Sequence, residues 1–173
     1  MTVLEQTPLV RITNESRLAV GISDMQVSTD TSKVIITYSL GSCVGVAMHD
    51  PVAGVAGMIH CMLPLSKIDP QKAIANPYMF VDTGIPQMLK TLYAKGATRK
   101  NLIARVAGAG APLGDNQVFK IGKRNYTVMR KVLWKNSILI KAENVGGSAA
   151  RTLIMSVATG RTVIKMDGKE LEL

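Results

Sequence analysis

Runs of β-branched and apolar residues, separated by polar or Gly/Pro-containing turns, predict eight strands. They cover residues 18–27, 33–38, 44–48, 55–62, 102–107, 137–142, 151–157 and 161–166. The run 44–48 is apolar at every position, which predicts a strand buried on both faces. The last two runs are joined by Ala-Thr-Gly and predict a hairpin.

Apolar residues recur every three or four positions in two further segments, which predicts two helices. The first covers residues 80–95, where Pro86 predicts either a late start of the regular helix or a kink. The second covers residues 125–135, with Asn125 as its N-cap.

Turns, rather than crossover helices, join most of the predicted strands. This connectivity predicts an α+β domain with mostly antiparallel sheets and the helices packed on one side. It argues against a doubly wound nucleotide-binding fold. The segment GAGAPLG has no Walker lysine in register and is interrupted by Pro112, so we expect a structural turn there.

The composition is that of a globular chain, with 173 residues, 47% hydrophobic and 19% charged. No basic segment followed by an apolar one marks an export signal at the N-terminus, and no apolar run approaches the ~18 residues of a membrane span. The two cysteines are therefore expected to be reduced. These features predict a cytoplasmic protein.

The net charge of +9 is concentrated in residues 90–141, which carry 12 basic side chains and 1 acidic side chain. Such a block is a solvated face, a nucleic-acid patch or a docking site for an acidic protein. Few aromatic residues lie among the charges, which weakens the nucleic-acid interpretation. Lys123, Arg124 and Lys131, in or next to the second predicted helix, are the candidate docking residues.

Cys43 is the candidate nucleophile, because it lies at a Gly-Ser hinge just before an apolar strand. A thiol of this kind needs a base, and the chain offers only His49 and His60. The sequence predicts a turn at His49, whereas His60 is predicted inside an apolar strand, where its ring needs a partner. Cys61 should face away from His60 and serve as a packing residue.

Thiol and imidazole together would form an activated nucleophile, and the backbone N–H groups at Gly41 and Ser42 would support an oxyanion. Spacing alone slightly favours the alternative in which Cys43 and His60 are buried separately and do not contact each other. A zinc site made of Cys43, His49, His60 and Cys61 is a weaker hypothesis, because two adjacent strand residues would have to bind one metal. We expect no metal and no cofactor.

Two motifs, TYSLGSCVGVAMHDP and GMIHCMLP, closely resemble the CheD family, the chemoreceptor glutamine deamidases of bacterial chemotaxis. The later segments KIGKRN and ENVGG resemble the same family. The resemblance covers residues 18–173 as a single domain and leaves residues 1–17 as an N-terminal extension. It implies an α/β/β sandwich.

The resemblance also implies the roles of individual residues and the partners. Cys43 is the nucleophile, His60 the general acid and base, and Thr37 the third catalytic member. The implied substrates are glutamine side chains on the cytoplasmic helical region of methyl-accepting chemotaxis receptors, and the implied partner is CheC, a phosphatase. Receptor helices of this kind are acidic, which favours docking by the basic block.

Two other functions stay open from the sequence. One is a non-catalytic adaptor that binds chemoreceptors or a CheC-type phosphatase and keeps Cys43 by descent. The other is a cysteine protease or a generic amidase.

Overall fold

The computed structural model describes residues 10–114 and 118–173, which form ten strands and three α-helices. The strands are β1 (Arg17–Val20), β2 (Asp24–Ser28), β3 (Val34–Leu40), β4 (Val44–Asp50), β5 (Val55–Cys61), β6 (Ile103–Gly108), β7 (Leu139–Val145), β8 (Arg151–Ser156), β9 (Thr162–Met166) and β10 (Lys169–Glu172). The helices are α1 (Pro70–Ala75), α2 (Val81–Ala94) and α3 (Ile121–Lys135), with short 3-10 turns at Ser66–Ile68 and Pro77–Met79. Residues 1–9 of the predicted N-terminal extension lie outside the described residues.

Two five-stranded sheets pack face to face. The first sheet has the strand order β1-β3-β8-β9-β10, and the second has the order β2-β5-β4-β6-β7. Pairs β1–β3 and β6–β7 are parallel, and the other six pairs in the described ranges are antiparallel. Apolar side chains fill the layer between the sheets, and α2 and α3 cover the outer face of the second sheet. The predicted α+β fold, an α/β/β sandwich with helices on one side, is confirmed.

The central strands β4 and β5 are buried at every position, as the uninterrupted apolar run predicts. Val44, Val46 and Met48 pack toward the helices, whereas the alternate positions of β4 face the first sheet. Gly45 is one of these, and a Cβ atom there would lie 2.8 Å from Cδ1 of Leu40. Its missing side chain therefore lets the first sheet pack directly on β4.

The single strand predicted over residues 18–27 is wrong. The chain forms β1 in the first sheet and β2 in the second, because it turns between them at Gly21 and Ser23. Ser23 has a left-handed backbone (φ 59°) and donates its N–H to the carbonyl of His60. The apolar pattern continues across the turn, so it hides the change of sheet.

The predicted start of the second helix is also wrong. Helix α3 begins at Ile121, four residues earlier, after Lys120 enters in a left-handed conformation (φ 46°). Asn125 is therefore a buried residue inside the helix and not its N-cap. In α2 the regular helix begins at Val81, with Pro86 inside it. At the start of α2, Val81 donates its N–H to the carbonyl of Leu63.

The GAGAPLG segment forms the loop after β6 and holds the hinge that carries Cys43. Ala109 donates its N–H to the carbonyl of Cys43 (2.7 Å), and Gly110 donates to that of Gly41 (2.8 Å). A Cβ atom on Gly122 would collide with the carbonyl group of Gly110 and with Ala109. Helix α3 can pack on this loop only because its first turn contains a glycine.

Within residues 10–114 and 118–173, no helix combines the length and the apolar character needed to cross a membrane.

Replacing Gly122 with alanine should destabilise the protein, because the added methyl group must displace the backbone of the 109–110 loop. We expect the free energy of unfolding to fall by about 1–3 kcal/mol, as for other overpacked sites. Gly21→Ala is the control, because its nearest neighbours are atoms of Asp24 at 3.9 Å. Urea unfolding would measure both, and equal losses would contradict the proposed close contact.

Candidate active site

Cys43 lies between β3 and β4, half-buried at the edge of the layer that separates the two sheets. All three backbone carbonyls of residues 41–43 accept hydrogen bonds. Those of Gly41 and Cys43 accept from N–H groups of the loop after β6, and that of Ser42 accepts from Nδ2 of Asn125 (3.0 Å). No backbone carbonyl of the described residues accepts the N–H of Ser42 or Cys43. The N–H of Cys43 instead interacts with the residue's own thiol group.

His60 lies on β5 with its side chain turned toward the first sheet. It is fully buried and pairs in register with Gly45, so β4 places no side chain against the imidazole. Cys61 faces the opposite way and packs in the cluster beneath the helices. The sequence-based expectation that His60 and Cys61 point to opposite faces is confirmed.

Thr37 on β3 reaches across the gap between the sheets to His60. Its Oγ1 lies 2.7 Å from Nδ1 of His60 and 2.8 Å from the carbonyl oxygen of Val20. The hydroxyl has one proton, and a carbonyl can only accept, so Thr37 donates to Val20 and accepts from Nδ1–H. The neutral ring therefore carries its proton on Nδ1 and its lone pair on Nε2. Within the described residues Nε2 has no hydrogen-bond partner.

Cys43 and His60 share one face of the second sheet. Cys43 lies two positions before Gly45, the direct partner of His60, so it is a diagonal neighbour of the histidine. Diagonal neighbours of this kind have Cβ atoms about 7 Å apart, within reach of a long side chain. Thr37 thus contacts His60 directly, and Cys43 lies one diagonal step from His60 in the second sheet.

Burial sets the protonation state of the pair. It raises the pKa of the Cys43 thiol, although the residue's own backbone N–H offsets part of this effect. It lowers the pKa of His60 to about 4, because the charged imidazolium is poorly solvated there. At neutral pH the site therefore holds a neutral thiol and a neutral imidazole. Such a pair can perform general-base activation, in which the proton moves as the sulfur attacks.

His49 and Cys61 do not join this site. His49 lies at the far end of β4, where its ring packs against Gly160, and burial lowers its pKa. Burial also raises the pKa of the Cys61 thiol, with the nearby Cys43 as a second cause. Across the part of the chain that the structure describes, no three His, Cys, Asp or Glu side chains form a group suited to a metal ion.

The sequence alone does not identify two contributors to the site. The carbonyl of Val20 orients the Thr37 hydroxyl, and no sequence signal identifies a backbone acceptor. Asn125 holds the carbonyl of Ser42, and its position in an apolar stripe of α3 with Met129 and Leu133 would have been a signal for a buried polar role.

The candidate docking residues are all exposed on α3. Lys123 and Arg124 line a cleft of about 500 Å³ whose other walls include Leu65 and Phe119. Lys131 lies about two turns further along the helix and does not line this cleft. The structure thus places two of the three basic residues together beside an apolar surface.

Comparison with solved structures gives a weak likeness to the hypothetical protein YfiH of Bacillus licheniformis, with a TM-score of 0.46 and 14% identity over 72% of this chain and 51% of that one.

Sequence comparison gives a specific result. A protein of Solibacter usitatus named probable chemoreceptor glutamine deamidase CheD is 45% identical over 91% of this chain and 93% of its own length. A second protein of that kind, probable chemoreceptor glutamine deamidase CheD 1 of Syntrophus aciditrophicus, is 43% identical over 88% of this chain and 95% of its own. The family model described as CheD chemotactic sensory transduction matches residues 62–166. The chain belongs to the CheD family.

Proposed function

We propose that this protein is a chemoreceptor glutamine deamidase, which hydrolyses glutamine side-chain amides of methyl-accepting chemotaxis receptors to glutamate. The names of its relatives support the substrate class. The observation that carries the chemistry is the hydrogen-bond chain from Val20 through Thr37 to His60, which leaves the lone pair of Nε2 on the face that carries Cys43.

The first half of the proposed reaction forms a thioester. The sulfur of Cys43 attacks the carboxamide carbon while its proton passes to Nε2 of His60. The carbonyl oxygen becomes an oxyanion, which the N–H groups of residues 41–43 stabilise. Nε2–H then protonates the amide nitrogen, the C–N bond breaks and ammonia leaves.

The second half regenerates the enzyme. Nε2 takes a proton from a water molecule, whose oxygen attacks the thioester carbon. The C–S bond breaks, the thiolate of Cys43 takes the proton back from His60, and the glutamate side chain is released. Thr37 accepts a hydrogen bond from Nδ1 throughout, so it holds the ring and supports its transient positive charge.

We propose a location and two kinds of partner on the same basis. Its substrate is the cytoplasmic helical region of the receptors, so the protein works in the cytoplasm. A CheC-type phosphatase is a further partner on the strength of the family resemblance.

Cys43→Ser should abolish deamidation and leave the fold unchanged, because a hydroxyl is a far weaker nucleophile than a thiol paired with a base. Mass spectrometry of a receptor cytoplasmic fragment would measure the conversion, because each Gln→Glu event adds about one dalton and releases ammonia. Circular dichroism would check the fold. A folded Cys43→Ser protein that still releases ammonia would overturn the proposal and favour a non-catalytic adaptor.

His60→Asn should lower turnover by about 10²–10⁴-fold, the usual contribution of a general acid–base residue. His49→Asn is the matched control, because His49 is also a buried histidine on the second sheet but lies at the far end of β4. It should keep most of the activity at a temperature where both variants are folded. Comparable losses would mean that the imidazole of His60 has no special role.

Reversing Lys123, Arg124 and Lys131 to glutamate should slow receptor deamidation and spare a short glutamine peptide, because the basic face of α3 attracts the acidic receptor helices. Rising salt should weaken the wild-type reaction in the same way, since the Debye length is only ~8 Å at physiological ionic strength.

The matched control for this reversal is the same charge change at Lys95, Arg99 and Lys100. These exposed residues precede β6, whereas the loop that holds Cys43 follows it. The control should leave receptor deamidation close to wild type. Equal effects of both triple variants, or equal loss on receptor and peptide, would show that α3 is not the docking surface.

A further inference from the structure

Asn125 is a polar side chain in the apolar stripe of α3, and it is fully buried. Its Nδ2 donates two hydrogen bonds, to the carbonyl of Ser42 (3.0 Å) and to the carbonyl of Met62 (3.1 Å). Both partners only accept, so the amide orientation is unambiguous and Oδ1 must point away from them. Within the described residues Oδ1 has no hydrogen-bond partner.

The two carbonyls belong to the segments that carry the reacting pair. Ser42 immediately precedes Cys43, and Met62 follows His60 by two residues. The register between β4 and β5 ends at Val44 and Cys61, and beyond that point the N–H of Met62 donates to the carbonyl of Met79. The strands thus stop pairing where Cys43 and Met62 would come next. The Asn125 amide bridges this opening.

Asn125 is the polar member of the buried stripe of α3, whose other residues are Gly122, Met129 and Leu133. An apolar side chain would remove the buried amide oxygen, but it would also leave the carbonyls of Ser42 and Met62 without these donors. The chain instead uses both N–H groups of one amide to connect two loops, which neither serine nor aspartate can do. An amide that connects these two segments also fixes the distance between them.

We propose that Asn125 is a positioning residue that holds the Cys43 hinge at a fixed distance from the strand that carries His60. It touches neither the substrate nor the reacting atoms, and acts through the carbonyls of Ser42 and Met62. Proton transfer and attack depend steeply on alignment, so a small shift of the hinge costs much of the rate. The inference deepens the proposed function and rests on it.

The test replaces Asn125 with leucine, which has a similar shape and no donors. At a temperature where the protein is folded, kcat for a receptor fragment should fall by about 10²-fold, the cost of misplacing reacting groups by about 1 Å. KM should stay close to wild type, because the docking surface is unchanged. The pH dependence of Cys43 alkylation by iodoacetamide should also change, because the distance between the thiol and Nε2 of His60 is altered.

Met129→Ala is the matched control, since Met129 is buried one helical turn further along α3 and contacts neither loop through a hydrogen bond. It should lose thermal stability and keep kcat and the alkylation profile close to wild type. If Asn125→Leu does not fold, Asn125→Ser decides by the same measurements, because it adds no bulk and its hydroxyl cannot donate to both carbonyls.

Two results would overturn the inference. One is a folded Asn125 variant that keeps both kcat and the alkylation profile of the wild type. The other is a Met129→Ala protein that loses kcat to the same extent. Failure of the proposed function looks different: Cys43→Ser would still release ammonia, while alkylation of Cys43 in the Asn125 variants would continue to report whether the hinge has moved.

Discussion

The hydrogen bond between Thr37 and His60 is the constraint on which the site depends. Its two residues belong to different sheets, so it forms only when the sandwich has closed with the correct register on both sides. A slip of one residue in β3 or β5 would turn the hydroxyl or the imidazole to the other face. The second hydrogen bond of Thr37, to the carbonyl of Val20, then decides which ring nitrogen is free. The contact that orients the imidazole of His60 therefore forms only in the correctly folded sandwich.

Several features of the site destabilise the folded protein. It buries a neutral histidine whose pKa is lowered to about 4, and an amide oxygen on Asn125 that has no hydrogen-bond partner among residues 10–114 and 118–173. The glycines of the loop after β6 and of the first turn of α3 permit close backbone contacts that a side chain would block. These features all surround the hinge at Cys43. The apolar burial of the rest of the sandwich, in which β4 and β5 are buried at every position, offsets the stability that these features cost.

The sequence predicts the parts of this structure that depend on local pattern. The central strands and the opposite orientations of His60 and Cys61 follow from apolar runs and from the two-residue period of a strand. The division of residues 18–27 between two sheets does not follow from the sequence, because the apolar pattern runs through the turn. An asparagine near a predicted helix start normally indicates a cap, and only tertiary contacts reveal that Asn125 is buried inside α3. Thr37 is a candidate site residue only because of the family resemblance, since nothing in the local sequence distinguishes it from an ordinary strand threonine.

The orientation of Cys61 has a consequence for oxidation. Cys61 is fully buried on the helix side of the second sheet, whereas Cys43 is half-buried on the side of the first sheet. A sulfenic acid formed on Cys43 would have no second thiol on its own face to condense with, so it could not be rescued as an internal disulfide. Further oxidation to the sulfinic acid would be irreversible. Within the folded chain, Cys43 has no second cysteine on its own face of the sheet to protect it from peroxide.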